Sequence, residues 1–214
     1  MEITYLGHSS FKLRGKTVTV VTDPFGDYIG IKFPKHTSAD IVTISHDHDD
    51  HNNAEVVEGS PFVVRGPGEY EVKGVGIVGI SVYHDDANGE KRGKNTIYRI
   101  EIDGLSIIHL GDLGHTLSND QVDATNGVDV LLIPVGGLFT IDAKAAAEIV
   151  SAIEPSIVIP MHYNRSGLDQ KTFGSLTTVT TFLKEMGKED VVPQTKLLVT
   201  KDKLPEELQI VVLQ

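Results

Sequence analysis

The chain has no cysteine among its 214 residues, which excludes disulfide frameworks, thiolate nucleophiles and cysteine-based zinc sites together. Any metal it holds must be bound by nitrogen and oxygen. Basic residues are also in short supply. Nineteen Lys and Arg stand against 30 Asp and Glu, for a net charge of −11, which disfavours a broad nucleic-acid-binding face while leaving room for a local basic patch. No apolar run approaches the ~20 residues a membrane span needs, and Met1-Glu2-Ile3-Thr4-Tyr5 lacks a basic region ahead of an apolar one. A soluble, cytoplasmic protein with no membrane partner is the resulting expectation. There is no linker, composition break or solenoid-length repeat, and 40% hydrophobic residues suffice for one core. We expect a single domain over 1–214, with oligomerisation left open.

Short Val-, Ile- and Thr-rich runs fill the first third, at 3–6, 11–13 and 17–22, broken by Gly7, Gly15 and Asp23-Pro24. That is the pattern of an antiparallel meander. Residues 24–38, with Phe25, Tyr28 and Phe33, make a loop too long for a plain connection, readable as a substrate rim or as a surface excursion. A strand at 41–45 follows, then a short helix near 54–58 behind Asn52-Asn53. Further β runs fall at 62–64, 69–73 and 75–83, with a hairpin from 96–102 to 105–110 turning at Asp103-Gly104. Continuous apolar runs at 128–134 and 156–160 read as strands covered on both faces. Between them Asp142 caps a helix that puts Ala146, Ile149, Val150 and Ile153 on one side. A second helix is expected at 176–186 with Gly187 as its cap, and β runs at 196–200 and 208–213 follow. Strands in bulk with helices interspersed imply a layered α/β sandwich.

The strongest chemical signal is Ser45-His46-Asp47-His48-Asp49-Asp50-His51, directly after the apolar run Ile41-Val42-Thr43-Ile44. On a helix His46 and His48 point to different sides. At a strand exit they can share one, and the following turn can bring in Asp50 and His51. Imidazole with carboxylate suits zinc, iron or manganese, and four such ligands exceed what one open catalytic metal needs, so two metals fit. The bland alternative is a solvated His/Asp-rich turn. Further ligands should also stand where apolar strands end, and three residues do: His84 after Ile80-Ser81-Val82-Tyr83, Asp112 after Ile107-Ile108-His109-Leu110-Gly111, and His162 after Ile157-Val158-Ile159-Pro160-Met161. Taken singly, each also reads as a turn residue, a helix cap or a half-buried histidine.

This ordered set, His46-x-His48-x-Asp50-His51, then His84, Gly111-Asp112 and His162, resembles the metallo-β-lactamase-fold hydrolase superfamily over nearly the whole chain. The segments His109-Leu110-Gly111-Asp112, Ile133-Pro134-Val135-Gly136-Gly137 and Ile159-Pro160-Met161-His162-Tyr163 resemble a compact bacterial branch that includes ascorbate-phosphate lactonase-like proteins. The resemblance implies a four-layer αββα sandwich with the site at one edge. It implies that His46, His48 and His84 hold one divalent ion, that Asp50, His51 and His162 hold a second, and that Asp112 bridges them. Zinc is the first expectation, with manganese or iron as alternatives. It implies a hydroxide shared by the two ions as nucleophile, with Asp50 and Asp112 as the catalytic carboxylates. The expected reaction is hydrolysis of a small ester, lactone or phosphate ester. An RNA or nucleotide phosphodiesterase and a non-catalytic metal-binding scaffold or sensor are the competing readings. His48 in place of a carboxylate argues against the oxygen-reducing flavodiiron branch, and no large insertion supplies an RNA-gripping arm.

Other polar residues carry two readings each. His8, in Gly7-His8-Ser9-Ser10, is a substrate-binding group beside the site or a turn residue. Asp23 orients a ligand histidine or starts a turn. His109, inside a strand, reads first as a satisfied core histidine and second as a catalytic acid. His115 reaches the cleft or lies on the surface. Arg165, after His162-Tyr163-Asn164, is a candidate anchor for an anionic substrate, and His36 is read as surface.

Overall fold

A computed structural model describes residues 1–214. Buried and half-buried residues alternate along β1 (Glu2–Gly7), so one face of the strand turns inward. It forms an antiparallel meander with β2 (Ser10–Arg14) and β3 (Thr19–Thr22). β4 (Ile41–Ile44) and β5 (Phe62–Arg65) then add in parallel, and every residue of β4 is buried. A short β12 (Leu197–Leu198) completes this six-stranded sheet on the far side of β1.

The second sheet has seven strands. β6 (Gly68–Val72), β7 (Val75–Tyr83), β8 (Lys94–Ile102) and β9 (Leu105–His109) are antiparallel neighbours. β10 (Val130–Pro134) and β11 (Ile157–Met161) continue it in parallel, and β13 (Gln209–Ile210) closes it. The fully apolar runs of β10 and β11 are buried throughout, because the sheet is covered on both faces.

Two interior layers result. Between the sheets, Ile3, Phe11, Leu13 and Ile41 pack against Tyr98, Ile100, Leu132 and Ile159. On the outer face of the second sheet lie α2 (Ala143–Ile153) and α4 (Val179–Glu185), which press Ala146, Ile149, Val150, Phe182 and Leu183 onto Ile108, Leu131 and Val158. Asp142 accepts a hydrogen bond from Ala145 N at 2.9 Å and starts α2. The outer face of the first sheet is covered differently. There residues 24–38 fold back so that Phe25, Ile29 and Phe33 are buried against Val21, Val42 and Ile44, together with Phe173 from α3 (Gln170–Phe173). The fold is thus an αββα sandwich in which one outer layer is mostly irregular chain.

Several boundaries differ from the sequence expectations. The helix expected near 54–58 is one 3-10 turn, Ala54–Val56, and the helix expected from 176 starts at Val179. The last two β runs pair over only two residues each. A helix absent from the sequence expectations, α1 (Asn119–Thr125), is set by a capping box between Ser118 and Gln121. No helix is long and apolar enough to cross a membrane.

Candidate metal centre

The chemistry-bearing residues stand just beyond the ends of four strands at one edge of the sandwich, and backbone bonds fix each exit. After β4, Ser45 O accepts from Thr96 N at 2.9 Å. After β7, His84 N donates to Gly93 O at 3.0 Å. After β9, Asp112 N donates to Asn95 Oδ1 at 3.1 Å. After β11, His162 N donates to His8 O at 2.9 Å. Gly111 adopts a φ of +55°, and a Cβ there would overlap Asn95 and crowd Ser45. Glycine therefore lets the Asp112 turn approach the His46 strand.

These exits gather imidazoles around one carboxylate. Asp112 Oδ2 lies 3.1 Å from His162 Nε2, 3.2 Å from His51 Nε2, 3.3 Å from His84 Nε2 and 3.9 Å from His46 Nε2. Yet the Nε2 atoms of His46, His51 and His162, and Asp112 Oδ1, are buried without any hydrogen-bond partner. Buried polar atoms left unpaired cost roughly 1–3 kcal/mol each. A cation among them removes that cost. Two donors tetrahedrally bound at about 2.0–2.1 Å stand about 3.3 Å apart, close to the three shorter separations. The donor set therefore fits a metal ion.

The ligand candidates fall into two groups that meet at Asp112. His46, His48 and His84 form the first, with ring centroids 4.6, 4.7 and 5.0 Å apart. Asp50, His51 and His162 form the second, and His8 joins them, its Nε2 3.0 Å from Asp50 Oδ2. Of the seven residues expected as ligands, only His48 is not buried; it faces the cleft.

A layer beneath holds the rings. Asp23 accepts from Ser45 N at 2.8 Å, from the Ser45 hydroxyl, and from His51 Nδ1 at 2.9 Å. With its proton given to Asp23, Ser45 Oγ accepts from His46 Nδ1 at 2.8 Å. Both rings are thus protonated at Nδ1 and present Nε2 lone pairs towards Asp112. Asp23 is itself fully buried and fully satisfied, so it supports the site rather than opening another. His109 Nε2 donates to Ser9 O at 2.8 Å while its Nδ1 accepts from Gly111 N at 3.1 Å. It is a satisfied core histidine that pins the glycine before Asp112.

The electrostatics agree with a cation site. Burial holds His46 well below the usual imidazole range, and burial together with the neighbouring His162 lowers His8 to about 4. Burial should raise Asp112, but His162 and His51 outweigh it and hold the carboxyl well below its ordinary value. Burial likewise opposes charge on His51, but Asp112 and Asp50 raise it well above normal. The negative charge of Asp112 and Asp50 that raises His51 would favour a metal cation in the same place.

A cavity of about 470 Å³ opens over the cluster, lined by Tyr28, His48, Asp50, Arg92, Phe139 and Phe173 among others. That volume is in the usual range for a small organic ligand. Tyr28, from the 24–38 loop, is its rim, half exposed at 51%. Arg165 is elsewhere: its guanidinium lies 5.3 Å over the Tyr5 ring and does not line this cavity. His115 accepts from Tyr83 N at 3.2 Å outside the cluster, and His36 pairs on the surface with Glu58. The cleft's guanidinium is instead Arg92, with Phe139 beneath it at 5.6 Å. Arg92, Phe139 and Phe173 were not foreseen from the sequence, because no motif marks them: Arg92 and Phe139 lie in loops that follow strands, and Phe173 ends the short α3.

A two-sheet sandwich with a His/Asp cluster at one edge defines a class, the metallo-hydrolases of the β-lactamase fold. The family model of the beta-lactamase superfamily domain matches residues 2–162, and the chain belongs to that superfamily, as an enzyme of its metal-dependent hydrolase group. It is 31% identical to a UPF0173 metal-dependent hydrolase of Thermococcus onnurineus, over 77% of this chain and 85% of that one. A UPF0173 relative from Thermoplasma acidophilum is also 31% identical, over 86% and 94%. Among solved structures, a metallo-beta-lactamase superfamily member from Thermotoga maritima superposes with a TM-score of 0.78 at 35% identity, covering 100% of this chain and 99% of the other.

Proposed function

We propose that the protein is a two-metal hydrolase acting on a small ester, lactone or phosphate ester. The observation that carries this reading is the Asp112 carboxylate standing among four imidazole nitrogens, three of them buried with no hydrogen-bond partner. In this reading His46, His48 and His84 hold one ion, Asp50, His51 and His162 the other, and Asp112 serves both. An all-nitrogen-and-oxygen donor set suits zinc first. Such ions supply an activated water and Lewis acidity when bound. The chain's own residues do the rest. Asp23 and Ser45 hold His46 and His51 in the ligating tautomer, His8 holds Asp50 by its Oδ2, and Tyr28, Phe139 and Phe173 offer an apolar wall to a substrate.

The reading is tested by loading the purified protein with zinc or manganese, counting metal per chain, and assaying esterase, lactonase and phosphodiesterase substrates. Two metals per chain with turnover of one substrate class is the expected result. A protein that takes up no metal and is inert towards all three overturns it.

A further inference from the structure

A second cavity, about 630 Å³, adjoins the first, and Asp47, His48 and Arg92 line both. Its charge is opposite. The first cavity holds Asp47, Asp49, Asp50 and Asp112 against the single cation Arg92, as a metal site requires. The second holds Arg65, Arg92 and Lys94 against the single carboxylate Asp47, although acids outnumber bases 30 to 19 in the whole chain. Asp47 is already engaged, accepting from Asn52 Nδ2 at 2.7 Å. None of the three cations makes an ion pair. From this, resting on the two-metal reading for the reacting end, we propose that the substrate carries an oxyanion, a phosphate or a carboxylate, that docks on Arg65, Arg92 and Lys94 beside His48.

The three cations are placed by the same elements that deliver the metal-site histidines. Arg65 ends β5 opposite Ile44, two residues before His46. Lys94 opens β8 opposite Tyr83, one residue before His84. Between them Gly93 O takes the His84 N–H. The loop carrying Arg92 is staked by Asp85, which is 3% exposed. Asp85 accepts from the backbone N–H groups of Ala87, Gly89, Lys91 and Arg92 at 2.8, 2.8, 3.0 and 2.7 Å. Arg92 gives one Nη2 bond to Leu138 O at 3.2 Å and lies over Phe139. The remaining donors of its fork are free for a planar or tetrahedral oxyanion. Arg92 is therefore held in advance, so little of its side-chain entropy is lost when an anion docks, while Arg65 and Lys94 stand exposed at the rim. Phe139 and Phe173 in the first cavity suit an apolar body attached to the anion.

The test titrates the zinc-loaded protein with phenylphosphonate, phenylacetate and the neutral benzyl alcohol, read by calorimetry, with metal counted in each sample. The anions should bind at least about tenfold more tightly than the alcohol, and whichever binds better assigns the oxyanion. The exposed-residue double variant Arg65→Gln/Lys94→Gln should lose about tenfold or more of that affinity, as charge-assisted hydrogen bonds are lost, while keeping its zinc. Equal affinity for anion and alcohol, or unchanged anion affinity in the zinc-loaded variant, overturns the inference and leaves the metal reading intact. A protein that takes up no zinc yet binds phenylphosphonate through these residues overturns the metal reading alone. Tighter binding of a single-stranded oligonucleotide than of phenylphosphonate, lost in the same variant, overturns it in favour of nucleic acid.

Discussion

Asp23 Oδ2 and His51 Nδ1 lie 2.9 Å apart in the buried layer beneath the cluster, and the same carboxylate reaches His46 through the Ser45 hydroxyl. One side chain thereby fixes the tautomer of two rings in different ligand groups. Asp23→Asn keeps the volume but replaces one acceptor oxygen with a donor, so at least one ring loses its orientation. Removing such a supporting group typically costs 10–100-fold in metal affinity. Competition with a chelator indicator should show a loss of that size for Asp23→Asn; an unchanged affinity means the tautomers are set without it.

Metal removal should be visible as lost stability before any substrate is known. The unpaired nitrogens around Asp112 are buried in the folded chain and dispersed in the unfolded one, so a cation binds the native state preferentially. At free metal 100-fold above its dissociation constant the linkage is worth about 2.7 kcal/mol, or very roughly 5–10 °C in Tm for a chain of this size. Calorimetric scans with zinc and with excess chelator should differ by about that much. Coincident scans would mean that the cluster holds no ion under those conditions.

The metal-free protein should be most stable near neutrality and lose stability in acid. His8 is lowered to about 4 from 6.5 by burial and His162. A base with a depressed folded value contributes stability above its unfolded value, and this is lost as pH falls from about 6.5 towards 4. Asp23 and Asp112, held low by neighbouring imidazoles despite their burial, add losses of the same sign at lower pH. His51, raised by Asp112 and Asp50 against its burial, acts the other way: its contribution is full below 6.5 and fades as pH rises. The Tm of chelated protein should therefore fall between about pH 6.5 and 4.5, and His8→Gln should flatten that fall. An identical slope in His8→Gln would assign the acid loss to the other imidazoles that burial holds low, His46, His48 and His109.

How much of this was legible in the sequence depends on how local the signal is. His46, His48, Asp50 and His51 declare themselves as candidates by spacing after an apolar strand, and His84, Asp112 and His162 by standing where strands stop; mostly continuous apolar runs carry that information in the chain itself. The strand 75–83 was readable from its apolar β run, and the α2 face from apolar residues at helical spacing behind Asp142. What failed was set by tertiary partners. Whether 24–38 hangs over the site or covers a sheet depends on Phe25, Ile29 and Phe33 finding Val21 and Val42, and in fact it does both, with Tyr28 alone at the rim. Arg165, close to His162 in sequence, turns to Tyr5. Arg92, eight residues beyond His84 in a turn with no motif, reaches the cleft because Asp85 folds that turn back.

Two glycines make the last prediction, because one beside His84 and one in a distant hairpin separate the effect of space from the effect of backbone conformation. Gly114 does not need a left-handed φ, but a Cβ there would overlap the His84 carbonyl and Asp85 N, so Gly114→Ala must push the His84 backbone away. Overpacking of this kind costs roughly 1–3 kcal/mol, and here the displacement falls on a candidate ligand. Gly104, in the hairpin turn, has a φ of +79°, and a Cβ there would meet nothing within 4 Å, so Gly104→Ala adds backbone strain of about 1 kcal/mol far from the cluster. Both variants should melt earlier than the parent. Only Gly114→Ala should also weaken zinc affinity, by about tenfold or more, and should loosen the Arg92 loop that Asp85 anchors. If the two variants bind zinc equally well, His84 is not a ligand whose position the Gly114 contact controls, and its assignment to the first ion fails.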